Sequence, residues 1–160
     1  MKIRDVILPS DLTYIQDILE STKMFHDFEI TTALDICRDG LSEGPDSGYF
    51  FLFIEDETNH PIGFAIYGPV PCTKKRYDLY WIGVHQKQRG KGLGKELLIR
   101  CEEKIKQLGG ERIYIETSTR EEYSPTQQFY LKNGYHIESV LNDFYEDGDG
   151  KIIFSKRFFT

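Results

Sequence analysis

The chain has 160 residues, of which 39% are hydrophobic, 29% charged and 14% aromatic, with a formal net charge of -6. That length suits one domain with a sizeable core, and the aromatic content argues against disorder. The acidic balance argues against nucleic acid as a partner, because a phosphate backbone needs a concentrated cationic face.

"KIRDVI" reads as a short first strand, and "PSDLTYIQDILEST" as a helix entered through Ser10 or Asp11. "FEITTALDICRDGL" places Ile30, Leu34 and Cys37/Leu41 at helical spacing, with an end near Gly40 or Gly44. "GYFFLFIED" and "PIGFAIYG" are strand-forming runs joined by "ETNH", a hairpin whose aromatic residues are mostly core. "RYDLYWIGV" is a further strand. Its Gly83 points to a bulge or close backbone approach, or to packing under Trp81.

From Gly92 to Leu108 the spacing of Leu93, Leu97, Ile105 and Leu108 predicts a long amphipathic helix, stopped by Gly109 and Gly110. Then come the strand "RIYIETS", the helix "SPTQQFYLKNG" and the strands "YHIESVLNDFY" and "KIIFSKRFF" around the turn "EDGDG". Ser124 is placed to cap that helix, with Pro125 at its first position. The order predicts an α+β protein: one domain over residues 1–160, with a mixed sheet and helices on both faces.

No apolar run approaches membrane-spanning length, and "MKIRDVILPSDL" lacks the apolar core of a secretion signal. Cys37, Cys72 and Cys101 lie far apart and read as reduced thiols, so a cytoplasmic protein without a membrane partner is expected. His26, His60, His85 and His136 share no ligand spacing, and "DFYEDGDGK" lacks the ligand order of a calcium loop, so no metal is expected.

The chemistry concentrates in "QRGKGLGKE", residues 88–96. Gly90, Gly92 and Gly94 let backbone N–H groups approach an anion, and the following helix start adds unpaired donors and a favourable dipole. Arg89 and Lys91 supply charge for a diphosphate. A P-loop is excluded because Arg89 stands where its first Gly belongs and Glu96 replaces Ser/Thr; a dinucleotide fingerprint fails because Lys95 stands at its last Gly.

The remaining pattern, Gln/Arg-x-x-Gly-x-Gly/Ala, resembles that of the GCN5-related N-acetyltransferase (GNAT) superfamily. The segment Phe129, Tyr130, Lys132, Gly134 and Tyr135 is similar to a second family motif. The likeness runs in order from Tyr49 to Phe158, whereas the first 45 residues match only in outline, as substrate-side helices. It implies an α/β/α fold around a mostly antiparallel, twisted sheet of about seven strands, with acetyl-CoA as co-substrate and a primary amine as acceptor. Direct attack in a ternary complex is implied. The alternative is a non-catalytic acyl-CoA-binding or sensor module of the same fold.

By that resemblance the diphosphate is held from Arg89 to Gly94, with Gln88 and Lys95 beside it. Pantetheine runs along Ile82, Gly83 and Val84, where "RIYIETS" splays away. Thr117, Ser124, Phe129, Tyr130 and Lys132 complete the expected cofactor contacts, although Ser124 also suits a cap. The Val84 N–H would polarise the thioester carbonyl, a contribution of ~3 kcal/mol for a preorganised donor. An alkylammonium must first lose a proton, at a cost of roughly 4.6 kcal/mol at pH 7. Asp78 is one candidate base, expected on one face with Tyr80, Ile82 and Val84; Glu116 is the other. Tyr130 is the expected acid for the departing thiolate. The acceptor is set by the first helices and the last hairpin, where no motif is legible, and an exposed last strand could pair two copies as a homodimer.

Overall fold

In the computed structural model, which describes residues 1–158, the chain runs β1 (Lys2–Arg4), α1 (Asp11–Thr22), α2 (Asp27–Glu43), β2 (Phe50–Glu55) and β3 (Pro61–Pro69). It continues through β4 (Arg76–Val84), α3 (Leu93–Gln107), β5 (Arg112–Ser118), α4 (Ser124–Lys132), β6 (His136–Glu146) and β7 (Asp149–Arg157). The strands form one sheet in the order β1-β2-β3-β4-β5-β7-β6, antiparallel except for the central β4–β5 pair. This is the α+β arrangement that the order of apolar runs predicts. Of the last expected strand, Phe159 lies outside the described residues.

Two apolar layers hold the sheet. On one face Ile15, Ile18 and Leu19 of α1 and Leu34 of α2 pack on Phe53, Phe64 and Ile66. On the other, Leu97, Leu98, Cys101 and Ile105 of α3 pack on Leu52, Ala65, Ile113 and Phe154. β2 and β3 are buried on both faces, which is why they read as unbroken apolar runs instead of alternating ones.

Asp11 does not cap α1. It is buried and takes a bidentate bond from Arg4 at 2.7 and 2.8 Å, tying the helix start to β1. α2 begins earlier than its periodicity suggests, because His26 and Glu29 form a reciprocal cap around its first turn. It ends at Gly44; Gly40 lies inside the helix, where an added Cβ would stand 2.4 Å from the Phe51 ring. Gly40 therefore serves close helix–sheet packing and does not stop the helix.

The chain's last strand is not the exposed one. β7 lies between β5 and β6, and β6 forms the sheet edge, with Ile137, Val140 and Phe144 exposed. Sequence order misleads here because the final hairpin folds back to pair its second strand with β5.

Candidate active site

The central parallel pair opens along its length. β4 and β5 are paired from Arg76↔Arg112 to Leu79↔Ile115 and no further. β5 continues on β7 up to Ser118↔Lys151, and Gln127 of α4 donates to the Ser118 carbonyl at 2.8 Å, holding that end away from β4. The remainder of β4, Tyr80 to Val84, therefore borders a wedge.

β4 keeps its other edge on β3. The His85 N–H donates to the Ile62 carbonyl at 2.9 Å, so the position opposite Ile62 is a hydrogen-bonded one. In an antiparallel ladder such positions alternate, which makes Gly83↔Phe64 bonded and Val84↔Gly63 non-bonded. The Val84 N–H consequently points away from β3 and into the wedge, as does that of Ile82.

The β3–β4 register slips at Tyr80, since Ile66 faces Trp81 while Tyr67 faces Leu79. This bulge overturns the single face expected for Asp78, Tyr80, Ile82 and Val84. Tyr80 and Trp81 both pack toward α1 and α2, whereas Leu79, Ile82 and Val84 lie on the α3 side. Asp78, one residue before Leu79, is left on the Tyr80 side. Gly83 is not the bulged residue and does not sit under Trp81: a Cβ there would meet Phe64 at 3.2 Å and Ile18 at 3.4 Å, so its absence lets α1 approach.

At the mouth of the wedge the glycine loop enters α3. Gly90 and Gly92 have φ of 79° and 76°, a left-handed conformation that side chains resist, and, chain neighbours aside, nothing among the described residues lies within 4 Å of where their Cβ atoms would be. Main-chain N–H groups from Gly90 to Lys95 find no acceptor among the described residues; helical bonding starts with the Glu96 N–H on the Gly92 carbonyl at 3.1 Å. A run of unpaired donors at a helix N-terminus, open on the outside, fits a diphosphate.

Loop and wedge join in one cleft of about 830 Å³. On the donor side Ile82, Gly83 and Val84 line it, as do Gln88, Arg89, Gly90, Gly92, Leu93, Gly94 and Lys95. Thr117, Phe129 and Tyr130 close it from β5 and α4. Lys91, Ser124 and Lys132 are exposed and lie outside the lining. Lys91 turns back to Gln88 at 2.8 Å. Ser124 is the first residue of α4 and makes no side-chain cap, because a short 3-10 turn from Glu121 to Tyr123 leads into the helix. His85 also sits outside: its Nδ1 accepts from the Lys87 N–H, and its Nε2 is 3.2 Å from Asp17.

Tyr130 is 3% exposed, with its ring against Tyr135 and Phe154, and burial raises its phenol pKa above the ordinary value. Its hydroxyl has no hydrogen-bond partner among the described residues, while the residue itself reaches the cleft. Glu116 lines the cleft and pairs with Lys151 at 3.0 Å. Asp78 lies behind it, outside the lining; burial and then the Glu116 charge push its pKa up to about 6, with Lys151 opposing.

The other half of the cleft has no counterpart in any sequence pattern. Phe25, His26, Phe28 and Glu29 come from the junction of α1 and α2, and Tyr145, Glu146 and Asp149 from the β6–β7 hairpin. Asp149 bonds Ser118 and lies 3.4 Å from Arg120, whose guanidinium sits over the Tyr123 ring. These side chains are far apart in sequence and come together only through tertiary packing, so no local pattern marks them.

A wedge in a mixed sheet, bordered by a donor N–H and closed by an open glycine loop, defines an acyl-CoA-dependent N-acetyltransferase. The chain belongs to the acetyltransferase (GNAT) family, whose family model matches residues 13–135. A GNAT-family protein from Desulfovibrio desulfuricans is 35% identical, with 98% of each chain covered and a TM-score of 0.92. An aminoglycoside 6'-N-acetyltransferase complexed with coenzyme A shares the fold at 18% identity and TM-score 0.77, covering 100% of this chain and 98% of its own. PaiA N-acetyltransferase from Thermoplasma acidophilum, in complex with coenzyme A, does so at 21% and 0.71, covering 99% and 100%. No curated protein matches the sequence.

Proposed function

We propose that residues 1–160 act as one domain that transfers the acetyl group of acetyl-CoA directly to a primary amine. The observation that carries this reading is the unpaired Val84 N–H facing the wedge beside six free loop N–H groups, from Gly90 to Lys95. The loop donors and the Arg89 and Lys95 charges take the diphosphate. Ile82 and Val84 receive the pantetheine arm in the place that β5 has vacated, and the Val84 N–H stabilises the developing oxyanion.

The acceptor ammonium gives a proton, through water, to the Asp78–Glu116 pair. Glu116 meets the cleft, and Asp78, with its pKa near 6, is the carboxyl that holds the proton more readily. The free amine forms the C–N bond as the C–S bond breaks, the Tyr130 phenol protonates the leaving thiolate, and the proton that the nitrogen sheds on becoming an amide returns to Tyr130 through water. Geometry favours that assignment, because Tyr130 reaches the cleft and its hydroxyl has no partner among the described residues; burial leaves the phenol protonated at neutral pH. The base pair and Tyr130 together support turnover over a binding-only module.

The net charge of -6 supports a protein that does not bind nucleic acid. Among the described residues no helix is long and apolar enough to cross a membrane. We assign a cytoplasmic location on the scattered thiols, and pairing of two copies through the exposed edge of β6. The test is titration of acetyl-CoA into the protein by calorimetry, followed by thiol release with an amine panel. Saturable binding and acceptor-dependent release are expected; no binding at millimolar acetyl-CoA removes the proposal.

A further inference from the structure

α4 is a short helix with little of its own to hold it in place. Of its nine residues, Ser124 to Lys132, only Tyr130 is buried. A helix of that length is marginal by itself and takes its position from what it packs on. The Tyr130 phenol has no hydrogen-bond partner among the described residues. Where its oxygen stands therefore follows from its backbone and from ring contacts with Tyr135 at 5.8 Å and Phe154 at 5.5 Å.

A buried polar cluster outside the cleft fixes that backbone. Its centre is Glu102 of α3, 6% exposed, with both carboxylate oxygens occupied. The Tyr135 hydroxyl donates to one at 2.8 Å, and the Lys156 ammonium of β7 donates to the other at 2.9 Å. Each partner also grips the end of α4. Lys156 donates to the Asn133 carbonyl at 3.1 Å, and the Tyr135 N–H donates to the carbonyl of Tyr130 itself, also at 3.1 Å. The Lys156 ammonium lies 5.5 Å from the Tyr135 ring centre, so the two partners brace each other. Apolar packing could join these segments without taking a carboxylate out of water. What a fully satisfied polar network adds is one rigid geometry. Glu102 stands on α3, the helix that the donor loop enters, so the cluster ties the acyl-CoA site to the end of α4 next to Tyr130.

We propose that Glu102 is a positioning residue for the acid: through Tyr135 and Lys156 it locks the C-terminal end of α4 to α3 and so sets where the Tyr130 hydroxyl meets the thioester. This rests on the reading of Tyr130 as proton donor and names what holds it. A reacting group displaced by about 1 Å can lose about 100-fold in rate, so a partial loosening of this clamp is visible in turnover.

The test measures kcat and the KM for acetyl-CoA by thiol release, with whichever amine of the panel reacts fastest, for Tyr135→Phe alone and combined with Tyr130→Phe. Tyr135→Phe keeps the ring and removes one bond to Glu102. Alone it is expected to lower kcat about tenfold and to leave KM within about twofold. In the Tyr130→Phe protein the same substitution is expected to change kcat by no more than about twofold, because no acid is left to misplace. A purely structural role would give losses that multiply instead. Lys156→Met, which frees the Asn133 carbonyl and leaves both rings, is expected to show the same pattern and replaces Tyr135→Phe if that variant melts below the assay temperature. Unchanged kcat in a folded variant, a rise in KM in place of the fall in kcat, or equal losses with and without Tyr130 overturns this inference and leaves acetyl transfer standing. Unchanged kcat in Tyr130→Phe itself overturns this inference and the acid assignment together, and absence of thiol release with every amine overturns acetyl transfer as well.

Discussion

Replacing Asp78 by Asn is expected to stabilise the folded protein at neutral pH while slowing acetyl transfer. The carboxyl lies on the last paired rungs of β4 and β5, opposite Tyr114, where burial and Glu116 raise its pKa from 3.8 to about 6. The folded state binds this proton more tightly than the unfolded chain does. Stability from this group is therefore greatest below the unfolded pKa and is lost as pH rises toward 6. At 1.36 kcal/mol per decade of proton affinity the ceiling is about 3 kcal/mol. Screening through the open cleft and by Lys151 brings the expected effect to about 1–2 kcal/mol. Urea denaturation should find Asp78→Asn more stable than the parent by that amount at about pH 7.5, and equal to it near pH 4. A variant with the same stability difference at both pH values, or one less stable at pH 7.5, would refute the reasoning.

Tyr130→Phe should lower kcat by about 100-fold while leaving the KM for acetyl-CoA within about twofold, since only proton delivery is removed; an unchanged kcat across pH would dismiss Tyr130 as the acid. Gly92→Ala forces a side chain into φ 76° and should cost about 1–2 kcal/mol of stability. Calorimetry should also show its acetyl-CoA binding weakened about tenfold, because the loop N–H groups depend on that turn. Gly40→Ala should cost about 1–3 kcal/mol in a melting experiment, the new methyl displacing Phe51, with acetyl-CoA affinity retained.

The parts of the site that the sequence displays are those built on local rules. Gly90 and Gly92 are legible because a left-handed turn and a close anion approach leave few other residues possible. The strands β2 and β3 are legible because burial on both faces demands unbroken apolar runs. The bulge at Tyr80 is not, since nothing in "RYDLYWIGV" marks which residue loses its partner, yet it decides that Asp78 and Val84 face opposite sides. The Arg4–Asp11 tie and the placement of β7 inside β6 are likewise pairings across distant segments, fixed by tertiary packing and carrying no periodic signature. Periodicity left the end of α2 open between Gly40 and Gly44, because a buried glycine inside a helix looks the same in sequence as a terminating one; the structure ends it at Gly44.

Co-crystallisation with coenzyme A tests the central claim most directly. The diphosphate is expected within hydrogen-bond distance of the N–H groups between Gly90 and Lys95, with the sulfur lying between Val84 and the Tyr130 hydroxyl. A nucleotide bound elsewhere, with those amides facing solvent and the space between β4 and β5 unfilled, would contradict the account.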